Sequence, residues 1–198
     1  RGVKGYDIIG HVHGCASALE DLLTDLGYQS NDWTGAYWHP DCRAVFVGDR
    51  VDRREDQLRV LELVKLMVDG GSAHIVMGNH EFNAICYATP DPAKPGEFLR
   101  EHNDDNTRNH KDFLELDDAD RRYYLDWFAT LPLWLDLDGL RVVHACWHEP
   151  FLRTVREAFP RAHLALLVQP GGAAVLDGLP WFDRVILYRK KDEHRGLR

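Results

Sequence analysis

Residues 43–54 read RAVFVGDRVDRR, an apolar run followed directly by charged residues. Its first five residues, 43–47, are mostly apolar and favour a strand, and a glycine ends the run before a polar cluster. Two other short apolar runs end in the same way, residues 6–10 (YDIIG) before HVHG and residues 73–77 (AHIVM) before GNHE. We therefore predict three strands, each followed directly by polar side chains.

The chain between these strands has helical periodicity. Residues 15–26 and 57–68 repeat apolar side chains three and four positions apart, which predicts an amphipathic helix in each. Strands that alternate with helices of this length indicate an α/β fold. The polar clusters then lie at the carboxyl ends of the strands, where open α/β sheets bind their ligands.

The second half of the chain is less regular. Residues 89–122 are polar with helix-like stretches, and we predict a mostly helical cap insertion there. Residues 123–131 return to a helical apolar face, and 133–137 with 140–143 predict a hairpin that delivers His144. After the hairpin we predict one helix to about residue 159 and a second to about residue 168.

Composition limits the classes of protein that fit. An apolar content of 44% in 198 residues is enough for one core, so we predict a single domain over residues 1–198. The net charge of −8 disfavours general nucleic-acid binding, which relies on surplus Lys and Arg. The 4 cysteines form no CxxC pair and are predicted to be free thiols. Because we find no apolar membrane segment and no signal peptide, we expect a cytoplasmic protein without membrane partners.

The polar residues at the strand ends have the chemistry of a metal site. His13, Asp49, Asn79 and His144 each follow a predicted strand, and a shared carboxylate such as Asp49 is a direct way to hold two ions about 3.5–4 Å apart. Residues 9, 11 and 13 share one strand parity, so His11 and His13 would face one side if the strand continued. Asp7 has the same parity but lies too far back to replace His11 as a ligand, and we predict a structural role for it.

The ordered motifs GHVHG, GDRVDR, GNHE and VVHACW resemble those of the calcineurin-like metallophosphoesterases, whose pattern runs DxHG, GDxxDRG, GNHE, His and a final GH. The residues in and around these motifs are similar to those of a bacterial phosphatase group related to Ser/Thr phosphoprotein phosphatases and diadenosine-tetraphosphate hydrolases. The resemblance covers about residues 6–150. It implies a layered β-sandwich flanked by helices, and a site that hydrolyses phosphate esters with metal-activated water.

Roles for individual residues follow from the resemblance. It implies two divalent ions (manganese, iron, zinc or nickel), bound by His13, Asp49, Asn79 and His144, with Asp49 shared. His80 would protonate the leaving group with help from Asp52. Arg53 would grip the phosphate oxygens through its bidentate guanidinium, beside Asn79 and His80.

The sequence departs from the family pattern in three places. His11 stands where the family has an Asp, and it is either a ligand or a neighbouring spectator; as a ligand it would shift the metal preference away from manganese or lower occupancy. Arg54 replaces the Gly of GDxxDRG. No GH motif follows His148, so either a tail residue (His148, His163 or His194) supplies the last ligand or the C-terminal part is incomplete.

The leading functional hypothesis is a metal-dependent phosphohydrolase acting on a phosphoprotein, a dinucleoside polyphosphate or a small phosphomonoester. The alternative, motivated by the three departures, is a degenerate phosphatase that binds a phosphorylated ligand or protein without turnover. Glu81 is predicted only to stabilise a helix N-terminus. The remaining histidines, among them His39, His74, His102, His110 and His163, are predicted to be surface or structural residues.

Overall fold

A computed structural model describes residues 2–52, 56–137 and 140–145, Glu157, and the strands Ala165–Val168 and Arg184–Leu187. The chain divides into two compact units. The first contains residues 1–134 and 143–145, and the second contains residues 135–142 and 146–198. That residues 1–198 fold as a single domain stays a prediction.

Six helices and nine strands lie in the described residues. The helices are α1 Ala16–Asp25, α2 Gln57–Asp69, α3 Asn79–Ala88, α4 Asp104–Asn109, α5 Lys111–Leu114 and α6 Asp118–Ala129. The strands are β1 Gly5–Ile9, β2 Gln29–Ser30, β3 Tyr37–Trp38, β4 Cys42–Phe46, β5 Ala73–Ile75, β6 Trp134–Leu137, β7 Leu140–Val143, β8 Ala165–Val168 and β9 Arg184–Leu187.

The three strands predicted from the sequence form one parallel sheet in the order β1-β4-β5. In its register Ile9 lies beside Phe46, and Phe46 lies beside Ile75, so the three strands end at nearly the same level. The central strand β4 is buried from Ala44 to Phe46, as expected for a parallel strand covered on both faces. The predicted α/β class is confirmed, and the polar clusters meet at one edge.

Apolar faces of α1, α2 and α6 form the core around this sheet. Leu19 and Leu23 of α1 and Leu61 of α2 are fully or almost fully buried in one hydrophobic cluster. The apolar face predicted over residues 123–131 is buried in the same cluster, through Tyr124, Trp127 and Phe128 of α6 and Leu131 just after the helix. α6 begins earlier than the predicted residue 123 because the Asp117 carboxylate accepts the backbone N–H groups of Ala119 and Asp120.

The segment predicted to be a cap is helical in its second half. It contains α4, α5 and the start of α6, and Asn103 caps α4 by accepting the backbone N–H of Asn106 at 2.9 Å. His110 lies at the junction of α4 and α5. Helix is thus confirmed for the second half of the segment, whereas residues 89–103 contain none, and the function of the segment as a cap stays a prediction.

The prediction for residues near 168 is wrong. Residues 165–168 form β8, which pairs in parallel with β9, and not the end of a helix. A short apolar run such as ALLV fits a buried strand as well as a helix, and only its distant partner RVIL decides between them. The hairpin strands β6 and β7 match the prediction, whereas its turn at residues 138–139 lies outside the described residues.

Three smaller predictions can be compared with the described part of the chain. Cys15, Cys42 and Cys86 are free thiols. None of the helices there combines the length and apolar character that a membrane crossing requires. Asp7 accepts a hydrogen bond from the Tyr28 hydroxyl at 2.9 Å, in keeping with its predicted structural role.

Candidate metal centre

His11 and His13 lie in a turn after β1, not in a continued strand. β1 ends at Ile9, and His13 has a left-handed backbone with φ 46°. The parity argument for these two residues is therefore wrong, although the turn still brings the rings together, with centroids 5.5 Å apart. The turn is tied to the loop after β4, because the His13 N–H donates to the Asp49 carbonyl at 3.1 Å.

Asp49 is the centre of the group. Its side chain is 4% exposed, and its Oδ2 lies 3.5 Å from Nδ1 of His11. One ligand atom each from His11, His13 and Asp49 can be chosen so that all lie within 4.8 Å of one another. Two imidazoles and a carboxylate at this spacing fit a divalent transition ion, so the donor set agrees with the metal that the motifs imply.

His144 and Asn79 add two candidate ligand atoms near Oδ1, the other carboxylate oxygen of Asp49. His144 Nε2 lies 3.0 Å from Asn79 Oδ1 and 3.4 Å from Asp49 Oδ1. His144 Nδ1 donates to the Val47 carbonyl, so Nε2 of the neutral ring carries the lone pair. Three acceptor atoms then face one another, an arrangement that a shared proton or a cation stabilises.

The second imidazole is oriented in the same manner. His13 Nδ1 lies 3.3 Å from the Val51 carbonyl, which fixes the tautomer that leaves Nε2 as an acceptor. His11 stacks on His144 with ring centroids 5.2 Å apart. The structure thus brings together all five residues predicted as metal ligands: His11, His13, Asp49, Asn79 and His144.

A buried Glu81–Arg50 pair holds the two loops together. The Glu81 carboxylate accepts the backbone N–H groups of Gly78 (2.9 Å), Asp49 (2.9 Å) and Arg50 (2.7 Å). The Arg50 guanidinium lies 3.4 Å from the same carboxylate, and neither side chain is exposed. Burial would raise the pKa of Glu81, but the Arg50 charge and the donated N–H groups outweigh it and hold that pKa below its usual range.

Glu81 therefore does more than the predicted stabilisation of a helix N-terminus. It joins the end of β5 to the loop after β4, and so places Asp49 beside Asn79. The signal for this role was in the sequence, because Arg50 and Glu81 belong to two of the polar clusters. What the sequence did not show was that they pair.

The close approach of the loops requires glycine at Gly78 and Gly48. A Cβ on Gly78 would come within 3.0 Å of the Asp49 backbone nitrogen and of the Glu81 carboxylate. A Cβ on Gly48, which has φ 92°, would come within 3.0 Å of the His144 ring. Glycine at these positions lets two loops and one imidazole share the space around Asp49.

Asp52 and His80 form a pair next to this group. His80 Nδ1 donates to Asp52 Oδ2 at 2.7 Å, and the His80 backbone N–H donates to Asp49 Oδ1 at 3.2 Å. The His80 ring lies edge-on to His13 at 5.0 Å. The predicted proton donor and its helper are thus in contact with each other and adjacent to the candidate ligands.

His110 is a member of this site that the sequence reasoning did not find. Its Nδ1 donates to the same Asp52 oxygen at 2.9 Å, and its side chain is 2% exposed. Burial would raise the pKa of Asp52, but its hydrogen bonds with His110 and His80 lower that pKa below the usual range. No motif marks His110, because its partner is 58 positions away in the chain.

The remaining predicted residues lie outside the described part of the chain. They are Arg53, Arg54, His148, His163 and His194, together with Cys146, the fourth cysteine predicted to be a free thiol.

Comparison with known proteins agrees with this geometry. The family model described as calcineurin-like phosphoesterase matches residues 7–183. The chain belongs to this family. The family predicted from the four motifs is therefore confirmed, and the match extends past the hairpin strand β7 into the second unit.

Several curated relatives have the same name. The bis(5'-nucleosyl)-tetraphosphatase PrpE (asymmetrical) of Oceanobacillus iheyensis is 32% identical over 142 residues, which cover 70% of this chain and 54% of the relative. The protein of that name from Halalkalibacterium halodurans is 47% identical over 76 residues, 38% of this chain and 30% of the relative. This chain thus spans about half, or less, of the length of these relatives.

One solved structure that matches this chain is a Ser/Thr protein phosphatase from Saccharomyces cerevisiae with similarity to human phosphatase PP5. It matches with a TM-score of 0.43 and 18% sequence identity. The match covers 68% of this chain and 35% of the yeast chain.

Proposed function

We propose that this chain is a metal-dependent phosphohydrolase that cleaves a phosphate ester. The observation that carries the proposal is the convergence of His11, His13 and Asp49 within 4.8 Å. Membership of the calcineurin-like phosphoesterase family supports the same reaction class.

Two divalent ions are proposed as cofactors. His11, His13 and Asp49 would hold one, and Asp49, Asn79 and His144 would hold the other. Bound ions of this kind lower the pKa of a water molecule and neutralise charge on the phosphoryl oxygens. Because His11 supplies nitrogen where the family has oxygen, we propose zinc, iron or nickel ahead of manganese.

The protein residues have separate tasks in this proposal. His80 would donate a proton to the leaving oxygen, and the buried Asp52 carboxylate would orient its ring through Nδ1. Asn79, His80 and Arg53 would contact the phosphoryl group. His110 would position Asp52 through its hydrogen bond to the same carboxylate oxygen.

The relatives' names bear on the substrate. Among a phosphoprotein, a small phosphomonoester and a dinucleoside polyphosphate, the name bis(5'-nucleosyl)-tetraphosphatase favours the last. We propose a dinucleoside polyphosphate as the physiological substrate class.

The test is a p-nitrophenyl phosphate assay with manganese, zinc, nickel and iron, combined with metal analysis of the protein. The native chain should bind metal and hydrolyse the ester, and Asp49→Asn should lose both properties. Asp69→Asn is the matched control, because Asp69 is an exposed helical carboxylate paired with Lys65. Activity that appears only in His11→Asp would contradict the proposal and support a degenerate, non-catalytic phosphatase.

A further inference from the structure

A small cavity opens beside the His80–Asp52 pair. Its volume is about 290 Å³, and its lining includes Asn79 and His80 from the candidate centre together with Asn83, Arg100, Arg108 and Asp112. The arginines come from the segment predicted as a cap. The proposed proton donor His80 therefore lines one side of the cavity. Residues outside the metal-binding motifs line the rest.

The two guanidinium groups make this cavity a site for anions. Arg100 donates to the neutral Asn83 Oδ1 at 3.1 Å, and among the described residues it forms no ion pair. Its Nε is buried and has no hydrogen-bond acceptor in that part of the chain. An arginine with unused donors in a partly enclosed position is suited to a phosphate or carboxylate ligand.

Arg108 can also serve an incoming anion. Its guanidinium lies 3.2 Å from Asp105, but the two side chains are 73% and 82% exposed, so the pair is weak and exchangeable. Asp112 is the opposing negative charge in the lining. Two arginines against one carboxylate leave a local positive excess, in a chain whose net charge is −8.

We infer that this cavity binds a second phosphoryl group, carried by the leaving group of the substrate. The inference rests on the proposed function, in which His80 protonates the leaving oxygen; a leaving group next to His80 extends into the cavity that His80 lines. A cavity of about 290 Å³ is at the small end of ligand sites, which suits one or two phosphoryl groups with the nucleoside in solvent.

The reaction selected by such a cavity is cleavage of a phosphoanhydride. A water oxygen bonds to phosphorus and releases one proton to solvent, the bond from that phosphorus to the bridging oxygen breaks, and His80 gives its proton to the bridging oxygen of the released phosphate. Arg100 and Arg108 hold the charge that develops on that phosphate. A phosphomonoester with an uncharged leaving group has nothing to place between them.

The experiment compares two substrates in the full chain. Values of kcat/KM for a dinucleoside tetraphosphate and for p-nitrophenyl phosphate are measured with the same metal for native protein, Arg100→Gln and Arg108→Gln. We expect Arg100→Gln to lower the tetraphosphate value about 10- to 100-fold, and Arg108→Gln to lower it less, because each removes a charged hydrogen bond. Both variants should change the p-nitrophenyl phosphate value less than about twofold.

Two further variants separate charge from structure. Asp112→Asn removes the repelling carboxylate and should raise kcat/KM for the tetraphosphate alone. Arg59→Gln is the matched control, because Arg59 pairs with Glu20 on exposed surface between α1 and α2. Arg59→Gln should leave both substrates unaffected.

The outcomes distinguish this inference from the proposed function. If native protein hydrolyses p-nitrophenyl phosphate but the arginine variants lower both substrates equally, the inference is overturned while the proposed function stands. The inference is also overturned if native protein does not prefer the tetraphosphate over p-nitrophenyl phosphate. If native protein hydrolyses neither substrate with any of the four metals, the proposed function fails and the inference fails with it. Arg108→Gln guards against misfolding, because its side chain is largely exposed.

Discussion

Glu81→Gln should be strongly destabilising, although it changes one atom. In the native chain the Glu81 carboxylate accepts three backbone N–H groups and pairs with the buried guanidinium of Arg50. In the native chain the backbone N–H groups of Gly78 and Asp49 both donate to Oε2 of Glu81. A Gln carbonyl oxygen in the place of Oε2 can still accept both hydrogen bonds. The NH₂ group of Gln would then face the backbone N–H of Arg50, and two donors would point at each other.

The magnitude follows from these contacts. Removing one partner of a buried ion pair costs about 3–5 kcal/mol. An unsatisfied buried N–H adds about 1–3 kcal/mol, part of which relaxation recovers. We expect a loss of roughly 4–6 kcal/mol in the free energy of unfolding, which approaches the whole stability of many domains.

Urea unfolding followed by circular dichroism measures this loss. The control is Glu115→Gln, because Glu115 is 63% exposed and only 3.5 Å from Lys111 in a surface pair, worth at most about 0.5 kcal/mol. The double variant Glu81→Gln with Arg50→Met should recover part of the loss, since it removes the orphaned charge. If Glu81→Gln behaves like Glu115→Gln, the assignment of Glu81 and Arg50 as the link between the loops is refuted.

Three more predictions test the centre. Gly78→Ala should cost about 1–3 kcal/mol or more in urea unfolding, because its methyl would overlap the Asp49 nitrogen and the Glu81 carboxylate; an unchanged midpoint would contradict the packing. Asp52→Asn should lower kcat about 100-fold or more with a smaller change in KM, because His80 loses the carboxylate that orients it; a loss confined to KM would contradict its role. The free energy of unfolding should fall as pH falls below about 4, since Glu81 and Asp52 have lowered pKa values when folded and take up protons on unfolding; in Glu81→Gln this dependence should be shallower.

The sheet was predictable because its signals are local. Each of β1, β4 and β5 is a short apolar run ended by a polar cluster, and parallel strands place such ends at one edge. That rule predicted that Asp49 and Asn79 would lie close together.

Contacts between distant segments were not predictable in the same way. The turn at His13 depends on a hydrogen bond to the loop after β4, so the strand rule failed there. His110 and Arg100 carry no local pattern, and only long-range contacts bring them to the site, His110 to Asp52 and Arg100 to Asn83 of α3. β8 was missed because its identity depends on pairing with β9.

The backbone is left-handed at His13, Asp49 and Asp52. The conformational cost of placing the ligands is therefore part of folding and not part of metal binding. For a residue other than glycine, this conformation is roughly 1–3 kcal/mol higher in free energy than an ordinary one. Hydrogen bonds within the protein hold these three backbones: the His13 N–H donates to the Asp49 carbonyl, the Asp49 N–H to Glu81, and the Asp52 N–H to Gln57. Ion capture therefore meets donors that are already rigid, and the affinity of this protein for a metal should report the chemistry of the ligands with little contribution from loop ordering.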